Sequence, residues 1–376
     1  MNKRNINDFV KNLKQDIRSI AQQRAAKIDI LFYSGHTIHT QWILSTLEVC
    51  VARGFRCALV YDRLSTPRIE SKASYPTYTI SRYFLPLLKA KIIVTATSGL
   101  RLLYLWPYKY RVYMPHSLTS LHMSYPPKAF DAYNVFFASG PHHVAEIRML
   151  DSFRPKSQRR IFSTCYGKMD VLKQVKPVFY FQGEERKRKT VLIAPSWGKQ
   201  NIINILGEEL TEILLQSGFN VILRPHPSMW IYQQQTLRRI QDRFAYTGRF
   251  YMEDSTAKRY DSYFTSDLMI SDYSGAAYEF AFLRERPVLF VDLPEKALNP
   301  HWSKMPIVPM EIELRNRIGR LVQPNASLIL AGVNALLKDL HLWSERIRQI
   351  RSQYIYAFDK HCGTIAATYL TQLLKE

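Results

Sequence analysis

The chain has 376 residues, 47% of them hydrophobic, which is long for one core and enough for two. Lysine and arginine outnumber aspartate and glutamate by 52 to 31, so the surface suits polyanions: nucleic acid, anionic lipid headgroups or phosphate-rich substrates. No stretch approaches the roughly 20 uninterrupted apolar residues of a spanning helix, and the N-terminus carries charges throughout instead of a signal-peptide run.

Residues 1–27 predict a basic helix. Ile6, Phe9, Val10, Leu13, Ile17 and Ile20 fall near i, i+3, i+4, i+7 spacing with lysines and arginines between. Such a helix either packs on its own domain or lies on an anionic membrane surface. From Ile28 the pattern becomes short apolar runs separated by helices. Strands are expected at Ile28–Tyr33, Cys57–Tyr61, Ala90–Thr95, Arg111–Met114 and Asn134–Ala138, with a helix over Trp42–Arg53 closed by Gly54.

The polar stretch Val175–Lys189, with its basic run Arg186–Lys189, reads as a solvated boundary. A second alternating set follows. Strands are expected at Thr190–Ala194, Asn220–Leu223, Leu268–Ile270 and Val288–Val291, helices at Ile205–Gln216, Trp230–Phe244 and Ala276–Arg284, and a mainly helical tail from Ser327. Alternation on this scale predicts two α/β halves, residues 1–175 and 176–376, each a parallel sheet flanked by helices. Ligands of such sheets bind outside the carboxyl ends of the strands, and the polar clusters there carry the chemistry.

After Leu268–Ile270 comes Ser271-Asp272-Tyr273-Ser274-Gly275 and then a helix. A strand feeding a small polar turn into a helix is either a routine joint or a phosphate site, because the first helical turn offers free N–H groups and the positive end of the dipole. Ser274 suits the N-cap and Gly275 a close backbone approach. Glu279 follows Ser274 by about one and a half turns, within reach of a ribose. Arg224-Pro225-His226-Pro227 ends another strand. There the guanidinium fork matches phosphate and the imidazole can bond to phosphate or protonate a leaving group, with prolines stiffening the turn.

His116, after a further strand, is a candidate general base or a loop histidine tied to backbone. His36 and His39 follow the first strand. The four cysteines, Cys50, Cys57, Cys165 and Cys362, form no CxxC pair and are expected to be reduced, mostly buried thiols of a cytoplasmic protein. No carboxylate pair or histidine motif has metal-ligand spacing, so no protein-held metal is expected. The many aromatics do not interleave with basic residues as in an RNA-binding sheet, so no specific nucleic-acid partner is expected.

Together RPHP (Arg224–Pro227) and, some fifty residues later, SDLMISDYSGAAYEFAFLRERPVLFVD resemble the glycerophosphotransferases that use CDP-glycerol to build teichoic acids and related capsule polymers. YMPHSLTSLH (Tyr113–His122) and YGKMD (Tyr166–Asp170) occupy the places of that family's histidine loop and inter-domain turn. The resemblance spans residues 110–295. Two departures stand out: Gly275 where a second Ser or Thr is frequent, and His116-Ser117 where His-Gly is usual.

The resemblance implies a GT-B architecture of two Rossmann-like domains and no tightly bound cofactor. Its donor would be CDP-glycerol or another nucleotide-activated compound. It implies His116 and His226 as catalytic residues, and Arg224, Ser274, Gly275, Asp272 and Glu279 around the donor and its phosphates. The acceptor would be a lipid-linked or polymeric hydroxyl at an anionic membrane, with the enzyme peripheral on the inner face of the plasma membrane. Two other functions fit the same chain, a GT-B glycosyltransferase using a nucleotide sugar and a non-catalytic basic lipid- or polyanion-binding protein.

Overall fold

The computed structural model describes residues 3–64, 74–153, 158–254 and 259–376. They form two compact units, one of Met1–Ser117, Tyr125–Val171 and Ile355–Glu376, the other of Leu118–Ser124 and Leu172–Tyr354.

The first unit is built on a seven-stranded sheet: β1 (Ile30–Ser34), β2 (Cys57–Asp62), β3 (Thr77–Ile80), β4 (Ile92–Thr95), β5 (Tyr110–Tyr113), β6 (Val135–Ala138) and β7 (Arg160–Ser163). Every pairing is parallel, in the order β3-β2-β1-β4-β5-β6-β7. The second unit carries β8 (Thr190–Ala194), β9 (Asn220–Leu223), β10 (Phe250–Met252), β11 (Leu268–Ser271), β12 (Val288–Val291) and β13 (Gly319–Val322), again all parallel, in the order β10-β9-β8-β11-β12-β13. Both orders run outward from a central first strand and reverse beside it, so each sheet has one topological switch point, between β1 and β4 and between β8 and β11.

The inner strands are continuous apolar runs because helices cover both of their faces. In the second unit Val191, Ile193, Val221, Leu223, Leu268 and Ile270 pack against Leu210, Leu214 and Ile240 of the flanking helices. All nine strands expected from the sequence are present, within two residues at each end. Four more exist, β3, β7, β10 and β13, and these are the four sheet edges. Each has at least one partly exposed residue (β7 is exposed or half-exposed throughout), so none shows a continuous apolar run. The helix expected over Trp230–Phe244 is interrupted at Gln233, giving Met229–Tyr232 and Gln234–Phe244.

The helix Lys3–Ala25 docks on its own unit through polar side chains. Asp16 pairs with Arg63 at 2.7 Å, and Gln23 exchanges hydrogen bonds with the backbone of Lys89. Ile17 and Val10 remain 57% and 41% exposed; the side chains of Ile6 and Phe9 lie outside the described ones.

The tail divides differently from chain order, for the final helix, Cys362–Lys375, belongs to the first unit. Asp170 accepts the backbone N–H groups of Cys362 and Gly363 at 2.8 Å each, capping that helix. Gly363 lies so close to the helix Thr40–Ala52 that a Cβ would stand 2.5 Å from the Ser45 carbonyl. Cys165 and Cys362 form a disulfide, which corrects the expectation of four reduced thiols; Cys50 and Cys57 are free and buried. The partners are 197 residues apart, and sequence spacing gave no sign of a pair that only the returning tail creates.

Candidate active site

The expected site residues fall at the switch points, one group in each unit. In the first unit His116 follows β5, beside the ends of β1 and β4. Its Nδ1 lies 2.7 Å from the Ala96 carbonyl, which can only accept, so Nδ1 carries the proton and Nε2 presents a lone pair. The Tyr125 hydroxyl approaches that Nε2 at 3.3 Å.

The ring of His39 stacks on His116 with centroids 4.9 Å apart, and Trp42 meets it edge-on. Thr97 holds the second ring in place: its hydroxyl oxygen accepts from the Gly35 amide at 2.9 Å and lies 3.2 Å from His39 Nδ1. Burial pushes His116 down to about 4, against the opposing pull of the Ala96 carbonyl. His39 is pushed well below the usual range by burial and by the charges that His116 and His36 would carry. Both rings are therefore neutral at pH 7.

The turn expected at Tyr166–Asp170 underlies this group. Tyr166 donates to the His116 carbonyl at 3.1 Å and accepts from Trp42 Nε1 at 2.7 Å. Gly167 touches the same helix, where a Cβ would stand 2.3 Å from the Trp42 carbonyl oxygen. No larger residue fits there without moving that helix. Leu118–Ser124 belong to the second unit, where Ser120 bonds to Glu311 through its amide and hydroxyl and His122 Nε2 lies 3.0 Å from the Ile307 carbonyl.

In the second unit His226 is held by the opposite edge. The Ser228 amide donates to its Nδ1 at 3.2 Å, and the Ser228 hydroxyl lies 2.8 Å from the same atom. Nδ1 is thus the acceptor, and the neutral ring carries its proton on Nε2. Burial, and then the charge of Lys296, push this histidine down to about 4.

Lys296 was not anticipated. It lies in the loop after β12, and its ammonium donates to the Ser196 hydroxyl and to the Trp197 carbonyl at 2.5 Å in the loop after β8. Burial lowers its pKa, partly offset by Asp272. The available signal was its position in a strand-end loop, but a lone lysine in a chain this basic does not stand out.

Ser274 caps the helix Gly275–Arg284 by accepting from the Ala276 amide. Gly275 is the first helical residue and is not among the glycines with positive φ, so the backbone conformation does not require glycine. Asp272 is buried, with one oxygen accepting from the Ser196 amide at 2.8 Å and the other from the Ile202 amide at 3.0 Å. It ties the loop after β8 to the turn after β11.

Arg224 is also buried and ends in an ion pair with Glu253. It donates to the Arg259 carbonyl at 2.7 Å, with its guanidinium 4.7 Å from the Tyr260 ring centre. Glu279 accepts from the Tyr263 hydroxyl at 3.2 Å. The geometry thus gathers His226, Lys296, Ser274 and Asp272 around the β8–β11 switch point, while Arg224 and Glu279 build the layer of ion pair and tyrosines behind it. Among the described residues no group of three or more His, Cys, Asp or Glu side chains stands together as a metal site, and no helix is long and apolar enough to cross a membrane.

Residues 127–294 match the family described as CDP-Glycerol:Poly(glycerophosphate) glycerophosphotransferase. No curated protein matches the chain. Among solved structures the wall teichoic acid polymerase TagF, in a structure with CDPG, is similar with a TM-score of 0.61 at 13% identity, covering 100% of this chain and 99% of that one. A putative UDP-N-acetylglucosamine 2-epimerase from Listeria monocytogenes is similar with a TM-score of 0.58 at 12% identity, over 92% of this chain and 95% of that one. S. aureus MnaA with UDP gives 0.56 at 10%, over 93% and 98%. At these identities the structural likeness establishes the two-domain GT-B-type fold.

Proposed function

We propose that this chain, whose residues 127–294 match the CDP-glycerol glycerophosphotransferase family, is a member of it and transfers glycerol phosphate from CDP-glycerol to a hydroxyl of a growing teichoic-acid-type polymer. The acceptor oxygen attacks the phosphorus that carries glycerol, the bond from that phosphorus to the CMP oxygen breaks, and CMP leaves. In such a transfer the protein's task is positioning and charge neutralisation.

His116 takes the acceptor proton on Nε2. His226 donates its Nε2–H to the leaving phosphate. Lys296 and the first-turn amides behind Ser274 and Gly275 neutralise the pyrophosphate. Asp272, Arg224 and Glu279 position this frame, since a carboxylate facing phosphate would repel it and Arg224 is already neutralised by Glu253.

The observation that carries the reading is the pair of opposite tautomers. One strand-end histidine offers a lone pair and the other offers a proton, both neutral at pH 7. The arrival of an anionic donor raises both pKa values toward the working range. Incubation with CDP-glycerol, other CDP-polyols and nucleotide sugars, each with a glycerol phosphate acceptor, tests the reading. CMP release with CDP-glycerol is expected, and UDP release from a nucleotide sugar in its place would move the chain to the glycosyltransferases.

The helix Lys3–Ala25 supports a peripheral place on an anionic membrane. Exposed Val10 and Ile17 stand among Lys11, Lys14 and Arg18 on its outer side. Vesicles rich in phosphatidylglycerol are expected to sediment the protein, and Ile17→Glu to reduce that binding severalfold. Equal sedimentation of the variant would remove the helix from membrane attachment.

A further inference from the structure

At the amino-terminal ends of the second sheet's strands lies a pocket of about 210 Å3. Thr190 and Asn220, which open β8 and β9, line it together with Asp267 just before β11. The strands are four or five residues long, so it lies roughly 15 Å from the strand-end site of His226 and Lys296, on the opposite edge of the same sheet. It is a separate site.

Its charge is unbalanced. Arg186, Arg188, Arg284 and Arg286 line it, against the single carboxylate of Asp267. That carboxylate is already engaged, by Lys189 at 2.9 Å and by the Thr190 amide at 3.0 Å. Arg188 is paired with Glu185 at 2.6 Å, whereas Arg186 stacks on Phe179 at 4.0 Å. Other largely buried arginines of this unit, Arg224 and Arg315, each have a carboxylate partner in Glu253 and Asp292. Arg284 has no carboxylate partner among the described residues: it donates to the Phe264 carbonyl at 3.3 Å and stands 5.1 Å from the centre of the same residue's ring. Its pKa is lowered by burial and by the neighbouring Arg286, with Asp267 opposing.

A second observation points to a ligand. Arg284 Nε, Ser266 Oγ and Asn220 Oδ1, all from residues lining this pocket, are buried without a hydrogen-bond partner. Clustered unsatisfied groups are rare in a settled interior and mark a place where something else supplies the partner. Two are donors and suit an oxyanion; the third is an acceptor and suits a hydroxyl. All three are covered by the wall, so a ligand that meets them displaces part of that wall.

We infer that this pocket is a second binding site, for a phosphate ester that also carries a hydroxyl, such as one glycerol phosphate unit of a polymer or of a lipid headgroup. A volume below the about 300 Å3 of sites for larger organic ligands fits one such unit and not a nucleotide. Arg186 and Arg188 of the basic run Arg186–Lys189 then form the rim of a site, and the run is more than a solvated boundary. This inference stands on the pocket alone and does not depend on the transfer reaction proposed above.

Calorimetric titration of the whole chain tests it, in an Ile17→Glu/His116→Ala/His226→Ala/Lys296→Gln background that weakens the helix's membrane contact and disables the transfer site. The two probes are a soluble three-unit glycerol phosphate oligomer and phosphatidylglycerol vesicles. At least one should bind, and adding Arg186→Gln with Arg286→Gln should weaken that binding about tenfold or more, while Lys187→Gln, a basic neighbour outside the lining, leaves it unchanged. Both arginines are at least partly exposed, so the fold is kept. Oligomer binding identifies a polymer segment as the occupant, and vesicle binding alone identifies a lipid headgroup. The inference is overturned if neither probe binds, if the double arginine variant binds within twofold of its background, or if Lys187→Gln costs as much.

Discussion

In the first unit His116 is fastened by an Nδ1–H that donates to the Ala96 carbonyl, whereas in the second His226 is fastened by an Nδ1 that accepts from the Ser228 amide. The same side chain, at the carboxyl edge of a similar sheet, is thereby set to opposite chemistry. The surroundings differ in the same sense. His116 lies among aromatic rings, His39, Trp42 and Tyr125, and its ring nitrogens meet the Ala96 carbonyl and the hydroxyls of Tyr113 and Tyr125. His226 lies near the Lys296 ammonium, which in turn bonds to the loop that Asp272 holds. The lesson is that one hydrogen bond to backbone, not the residue type, sets which ring nitrogen of a histidine carries the proton.

The contrast is broken most directly at His116. His116→Ala is expected to lower CMP release in the transfer assay by about 10²–10⁴-fold while nucleotide binding by calorimetry is unchanged. Loss of nucleotide binding as well would assign the residue to the donor. His226→Ala should follow, with about a 10²-fold loss in kcat; His226→Asn, whose amide can donate, should recover part of it, and no recovery would count against a donor role. Lys296→Gln should cost about tenfold, chiefly in KM for the donor, as expected for one charge-assisted contact to phosphate.

The smallest effect concerns pH. With both histidines held down to about 4, the unfolded chain binds protons near pH 6.5 that the native state refuses, so stability rises with pH between about 4 and 6.5. The thermal midpoint should therefore fall as pH is lowered through that window, and the fall should be shallower in the His116→Gln/His226→Gln variant. Equal slopes would mean that the two rings do not titrate as their burial implies.

The sequence showed the inner strands plainly, because a strand covered on both faces must be apolar throughout, as Ile30–Ser34 and Val288–Val291 are. It hid the four edges, where half of each short strand meets solvent and the run is broken. It placed His116, His226 and Ser274 after strands, where the structure has them, and it could not give the tautomers, which depend on the Ala96 carbonyl and the Ser228 amide. Lys296 was illegible for another reason: what distinguishes it is a meeting with Ser196 and Trp197 a hundred residues away. Arg224 shows the converse. Its strand-end position announced a phosphate ligand, and only the folded chain reveals Glu253 as its counter-charge.

The return of Ile355–Glu376 to the first unit has a consequence for how the chain is made. During synthesis the first sheet's strands precede the second unit, yet the helix that packs against Thr40–Ala52 follows Leu172–Tyr354 in the chain and leaves the ribosome after it. The amino-terminal unit can reach its finished state only after the other has been translated, so a stop codon near residue 355 would damage the half of the protein that was made first.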